Sequence, residues 1–200
     1  MTHQRIEALR RDIVTPRFVL RPLTRWQMLR LQHHYLKDEG IRALLTLRRK
    51  PPSLWQSFRR IGRANGRTRF HHAIVDRTTK AVIGIHSTRL TPFRTANFEV
   101  ILGDRAWWGR DVVPEIRKAL IIVLVRRAGL EQMLNRVHSR NYGSVLNYGK
   151  LGFEHVGTSH MAAYDEFRDA PADFLMFSLR GDALRRSVDA WEKEGALVAA

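Results

Sequence analysis

The sequence contains no cysteine. That excludes disulfides, thiolate metal sites and cysteine nucleophiles, and it fits a reducing compartment. Long apolar runs are also missing. The longest, Ala119 to Val125, is far too short to cross a bilayer core of about 30 Å. Residues 1–11 are polar and charged with no apolar stretch behind them, so no secretory leader is visible. A cytoplasmic protein without a membrane partner is the expectation. Internal repeats and low-complexity linkers are absent. So are the H-E-x-x-H, G-x-S-x-G and Walker patterns, which leaves no motif for metal-assisted hydrolysis, serine hydrolysis or nucleotide hydrolysis. No metal is expected. Acidic residues are scarce beside basic ones: 19 against 35, a formal net charge of +16. Such a field favours polyanions, RNA or a ribosome among them, and speaks to association rather than to fold.

What is present suits one folded domain. The chain has 200 residues, 44% of them hydrophobic and 9% aromatic, enough for a core and too apolar for disorder. We expect a single domain over residues 1–200, with a core of about 14–180 and a peripheral helix over 181–200. Monomer and homodimer both remain open.

Residues 3–11 have helical character, and Thr15-Pro16 interrupts it. Arg17–Leu23 alternates with period two and reads as a strand. Thr24 is an N-cap for a helix that Gly40 ends, and Ile41–Leu47 is a further short helix. Ser53 caps another over Leu54–Ile61, and Ala64-Asn65-Gly66 is a turn. Phe70–Asp76 and Ala81–Leu90 form a hairpin, followed by a strand over Asn97–Leu102. On that strand Asn97, Glu99 and Ile101 share one face and Phe98, Val100 and Leu102 the other. A loop from Asp104 feeds a long helix ended by Gly129. Gln132–His138 is a strand, and a short helix, a closing hairpin and a polar helix over 182–194 follow. Strands and helices mix without strict alternation, so the fold class is α/β in the broad sense (α+β, mixed sheet) with helices on both faces.

Two stretches carry the chemistry. GDRAWWGRDVVPEI delivers a helix N-terminus, whose first N–H groups lack intrahelical partners and can hold an anion. Asn141, Ser144, Tyr148, Lys150, Gly152 and Phe153 form the second, spaced N-x-x-S-x-x-x-Y-x-K-x-G-F. Together with TPRFVLRPLT, these segments resemble the GNAT acyltransferases, and within them the RimJ/RimL-like N-acetyltransferases, over roughly residues 14–180. The resemblance implies the GNAT fold with a mostly antiparallel central sheet, acetyl-CoA as acyl donor and an amine as acceptor. It places Tyr148 as the acid that protonates the leaving thiolate and Asn141 and Ser144 at the cofactor. Val100, Ile101, Leu102, Trp108, Gly109, Arg110, Asp111 and Val112 complete the implied cofactor contacts, with oxyanion-stabilising N–H groups near Val100–Leu102.

Glu99 is the candidate general base. Asn97 matches the same register nearly as well and could not act as a base. His86 and His138 titrate in a useful range and rank behind Glu99. The loop departs from the family pattern of Gln or Arg, then x-x-Gly-x-Gly/Ala. Ala106 stands at the first position, Gly109 is kept, and Asp111 stands at the second small position. A carboxylate beside a pyrophosphate is repulsive. Asp111 is read here as a helix cap, with Arg105, Arg110 and Arg117 offsetting its charge. A GNAT-fold basic module with impaired catalysis is the alternative reading.

Overall fold

The computed structural model describes residues 7–45, 47–61 and 66–198, apart from the Arg60 side chain. Residues 3–6 of the expected first helix fall outside it. So do Ala64 and Asn65 of the expected turn. Within it, one eight-stranded sheet runs in the order β1-β2-β3-β4-β5-β6-β8-β7. Its strands are β1 (Ile13–Val14), β2 (Phe18–Pro22), β3 (Arg69–Asp76), β4 (Val82–Thr91), β5 (Thr95–Leu102), β6 (Gln132–His138), β7 (Glu154–Asp165) and β8 (Ala170–Arg180). Every neighbouring pair is antiparallel except β5 with β6. Those two are parallel and meet at only two residue pairs, Thr95 with Gln132 and Ala96 with Met133. Beyond them the strands part.

The helices follow local signals. Thr24 caps α1 (Arg25–Tyr35) in a capping box with Gln27, satisfying two otherwise free groups. Gly40 does not end this helix as expected. Asp38 starts a new one, α2 (Glu39–Leu44), by accepting from the Ile41 N–H at 3.0 Å. The buried Arg42 guanidinium reaches back to the Leu36 and Lys37 carbonyls at 2.8 and 2.7 Å, closing the end of α1 from another helix. Ser53 and Gln56 bond reciprocally at the start of α3 (Leu54–Ile61).

Two apolar clusters cover the sheet. The larger is organised by α4 (Val112–Arg126), which buries eleven of its fifteen residues and so has almost no solvent face. The C-terminal helix α6 (Gly181–Lys193) is less peripheral than expected. Its Leu184, Val188 and Trp191 join the α4 cluster, and Asp189 and Glu192 grip Arg126 of α4. The second cluster seats α1 and α2 against Ile85 and Ile101 on the opposite face. The short helix α5 (Tyr142–Lys150) lies between β6 and β7 in sequence and contacts α4.

Three histidines lie in the sheet interior. Burial holds His71 and His72 down to about 4, and His86 well below its ordinary value. Each folded pKa lies below the unfolded value of about 6.5, so the unfolded chain takes protons first and stability falls as pH drops from there toward 4. Asp38, Asp76 and Asp165, all lowered by hydrogen bonds, add losses only at still lower pH. Urea-melt stability should therefore fall by about 2 kcal/mol for each of His71 and His72 between pH 7 and pH 5. His72→Gln should flatten that slope. A stability unchanged between the two pH values would contradict this picture.

Candidate active site

The gap between β5 and β6 sets the site. At its root the buried Asn135 of β6 accepts the Phe98 N–H with Oδ1 at 2.6 Å, replacing the lost ladder bond with a side chain. Strand alternation then turns the N–H groups of Val100 and Leu102 into the gap and that of Ile101 toward β4. So of the three residues expected to offer backbone donors, two face the opening. Trp108 closes one side by donating Nε1–H to the Leu102 carbonyl at 3.1 Å.

Three connected cavities follow the gap. A mostly apolar channel of about 260 Å³ is walled by Leu45, Val100, Ile101, Leu102, Trp108 and Val113, and it reaches Gly109, Asn141 and Ser144. It opens into a central cavity of about 180 Å³ holding Glu99, Arg117, Arg136, His138 and Tyr148. Beyond lies a polar cleft of about 530 Å³, where Gln32, Arg69, His71, Asn97, Glu99 and Arg136 meet. Asn97 and Glu99 share the cleft face, as their alternation implied.

At the channel mouth Gly109 and Asp111 both have left-handed backbones, φ 74 and φ 55. A Cβ on Gly109 would meet nothing within 4 Å, so the glycine serves the turn and leaves open space above it. The N–H groups of Val112 and Val113 open α4 without intrahelical partners, and Pro114 has none to offer. This loop is braced from the turn between β1 and β2. Glu115 accepts from the Thr15 hydroxyl at 2.6 Å and the Arg17 N–H at 2.8 Å, while Arg17 pairs with it at 2.6 Å and donates to the Arg110 carbonyl at 3.0 Å.

The sequence matches the acetyltransferase (GNAT) domain family over residues 17–154. The chain belongs to this family. Solved GNAT structures share its fold at low identity. The spermidine N-acetyltransferase from Vibrio cholerae, in complex with CoA and spermine, superposes with TM-score 0.69 at 16% identity, over 84% of this chain and 98% of that one. The ribosomal-protein-S5-alanine acetyltransferase from Vibrio fischeri gives 0.69 at 17%, over 86% and 97%. A GCN5-related N-acetyltransferase from Brucella melitensis gives 0.71 at 16%, over 92% and 85%. Among curated proteins the sequence finds no match.

Within the GNAT frame Asp111 corrects the sequence reading. It occupies the N-cap position but makes no capping hydrogen bond. Its carboxylate meets Lys150 Nζ of the second motif at 2.5 Å. Arg105 instead pairs with Asp38 at 2.6 Å, Arg110 lies near the Trp107 ring, and Arg117 is buried in the central cavity. Lys150, not these arginines, offsets the charge. The family's small residue at this position is explained by φ 55, a conformation glycine adopts freely and Asp better than most others. Arg110 and Asp111 are exposed on the loop and Val112 points into the core, so these three do not wall the channel.

Tyr148 is 2% exposed, stacked on Phe177 and tilted against Phe153, and it lines the central cavity. Asn141 caps α5 by accepting from the Ser144 N–H at 3.1 Å, and both residues line the channel. Glu99 is exposed on the wall shared by cavity and cleft. His138 lines the cavity, but its Nδ1 accepts from the Arg140 N–H at 3.2 Å, which occupies the lone pair of its neutral ring. Burial keeps it neutral by lowering its pKa, and His86 packs against Phe98 away from the three cavities. Among the described residues no group of three or more His, Cys, Asp or Glu is placed to hold a metal ion, and no helix is long and apolar enough to cross a membrane.

Sequence reasoning missed the role of Asn135, the burial of Arg117 in the cavity and the brace on the loop before α4. Asn135 and Arg117 carried a signal, each being a polar residue at an inward position of an apolar pattern. The Thr15–Arg17–Glu115 brace joins residues about a hundred apart and had none. Asn135→Ala would leave the buried Phe98 N–H unpaired, and urea unfolding should report a loss of about 1–3 kcal/mol. A loss below about 0.5 kcal/mol would mean that the side chain does not hold the root of the gap.

Proposed function

We propose that this protein is an acetyl-CoA-dependent N-acetyltransferase that moves an acetyl group to a primary amine, on a protein N-terminus or a small molecule. The observation that carries the reading is the continuous passage from the Gly109 loop to buried Tyr148, through the gap where β5 leaves β6. The residues present fit acetyl-CoA. Leu45, Val100, Ile101 and Trp108 suit a pantetheine arm, and the Val112 and Val113 N–H groups suit a pyrophosphate. The Asp111–Lys150 pair weakens the electrostatic objection to a pyrophosphate and so supports an active site over an impaired one.

When bound, acetyl-CoA supplies an activated thioester carbonyl. The reaction forms a nitrogen–carbon bond, breaks the carbon–sulfur bond, and needs one proton taken from the amine and one given to sulfur. Tyr148 serves as the proton donor at sulfur. The Val100 N–H, fixed in the strand and aimed into the gap, stabilises charge developing on the carbonyl oxygen. Glu99 takes the amine proton, directly or through water. Two of the GNAT structures above are named for their acceptors, the polyamine spermidine and an alanine of ribosomal protein S5. An α-amine, with a pKa of about 8, is neutral more often at pH 7 than a lysine at about 10.4, which favours an N-terminus or a small amine.

Amine-dependent thiol release from acetyl-CoA, across a panel of amines and peptides, tests the reading, and no release with any acceptor would refute it. Tyr148→Phe should lower kcat by roughly 10²-fold while KM for acetyl-CoA stays nearly unchanged; an unchanged kcat would remove Tyr148 as the acid. By calorimetry, Asp111→Gly should tighten acetyl-CoA binding and Lys150→Ala should weaken it, each by about threefold for an exposed pair. Weaker binding by Asp111→Gly would show that the pair holds the loop in shape instead.

A further inference from the structure

Arg117 is the largest fully buried side chain of the described residues, at 2% exposure. Its Nε and Nη1 hydrogens find no acceptor among them. Two rings hold the guanidinium, Tyr148 at 4.8 Å and Phe98 at 5.8 Å from their centroids. A guanidinium cannot escape burial by losing its proton. An unpaired buried charge is costly, and the charge also helps keep neighbouring His86 neutral, after the larger effect of burial.

The cost falls at a particular place. Arg117 lines the central cavity and neither of its neighbours. At about 180 Å³ that cavity far exceeds the roughly 10–15 Å³ one water needs. It shares Val100, Ile101, Asn141 and Ser144 with the channel on one side, and Gln32, Ser87 and Glu99 with the cleft on the other. A group carried in from either side therefore reaches the guanidinium. Of the charged groups on the cavity wall, Arg136 adds to the attraction for an anion and Glu99 opposes it. The planar fork of donors matches a carboxylate in a paired geometry that water does not reproduce.

We propose that Arg117 is the receptor for a carboxylate carried by one of the two substrates. The carboxylate belongs either to the acyl chain of a dicarboxylic monoacyl-CoA or to an amino-acid acceptor. This rests on the acyl-transfer reading and sharpens its substrate class. A substrate lacking the carboxylate leaves the guanidinium unpaired in the reacting complex, and discrimination follows from that.

The test uses thiol release by the full-length protein in two paired arms. One compares succinyl-CoA with acetyl-CoA toward the same neutral amine. The other compares an amino acid with its decarboxylated amine, both with acetyl-CoA. The wild type should favour the carboxylated member of one arm by about 30-fold or more in kcat/KM, and that arm identifies the source. In Arg117→Met the ratio should collapse to near one, with Arg117→Lys intermediate because it keeps charge without the fork. The proposal is overturned by no preference in either arm, by a preference that survives in Arg117→Met, or by equal loss for both members of a pair. If no pair releases thiol, the acyl-transfer reading fails on its own. Thermal melting with millimolar succinate still decides the receptor: a rise in Tm lost in both variants supports it, and no rise in the wild type overturns it.

Discussion

A sheet that stops pairing after two residues must satisfy the backbone it leaves behind. β5 and β6 touch through Thr95, Ala96, Gln132 and Met133, and then separate. The unpaired β5 groups are either met by a side chain, as Asn135 meets Phe98, or left facing a cavity, as at Val100 and Leu102. An unpaired buried N–H is costly, so those that stay open face a cavity that a ligand or water can enter. The rest of the architecture maintains this opening. Helix α4 fills the space beneath the sheet and delivers its N-terminus to the mouth. Helices α1 and α2 wall the opposite face, and α5 brings Tyr148 to the centre.

Charge is placed with the same economy. Around the loop, carboxylates are paired before any ligand arrives: Glu115 with Arg17, Asp111 with Lys150, and Asp38 with Arg105. The first holds the loop to the β1–β2 turn and is half shielded from solvent, so it is the firmest of the three. The other two are more exposed and worth less as stability, but they cancel negative potential near the N-terminus of α4. Arg117 is the exception, a buried cation in the central cavity whose Nε and Nη1 hydrogens find no acceptor among the described residues.

Much of this was legible in the chain. The strand at Gln132–His138 and the caps at Thr24 and Ser53 are local signals, and the structure follows them. The sheet is mostly antiparallel with helices on both faces, as the resemblance implied. Where reading failed, long-range contacts decided. Gly40 looked like a helix stop, but Asp38 capped a new helix and Arg42 closed the old one from a distance. Asp111 looked like a cap, but Lys150, thirty-nine residues away, captured its carboxylate. The candidate site residues were picked out by spacing and resemblance; the gap beside them depends on strand register, which no short motif encodes.

The central claim is that an acyl-CoA lies in the β5–β6 gap with its pyrophosphate on the first turn of α4. Amide hydrogen exchange, resolved by residue and measured with and without CoA, tests it most directly. Added protection is expected at the amides of Val100, Leu102, Val112 and Val113, with little change at Ile101, which faces β4. Protection confined to other surfaces, or none at millimolar CoA, would contradict it.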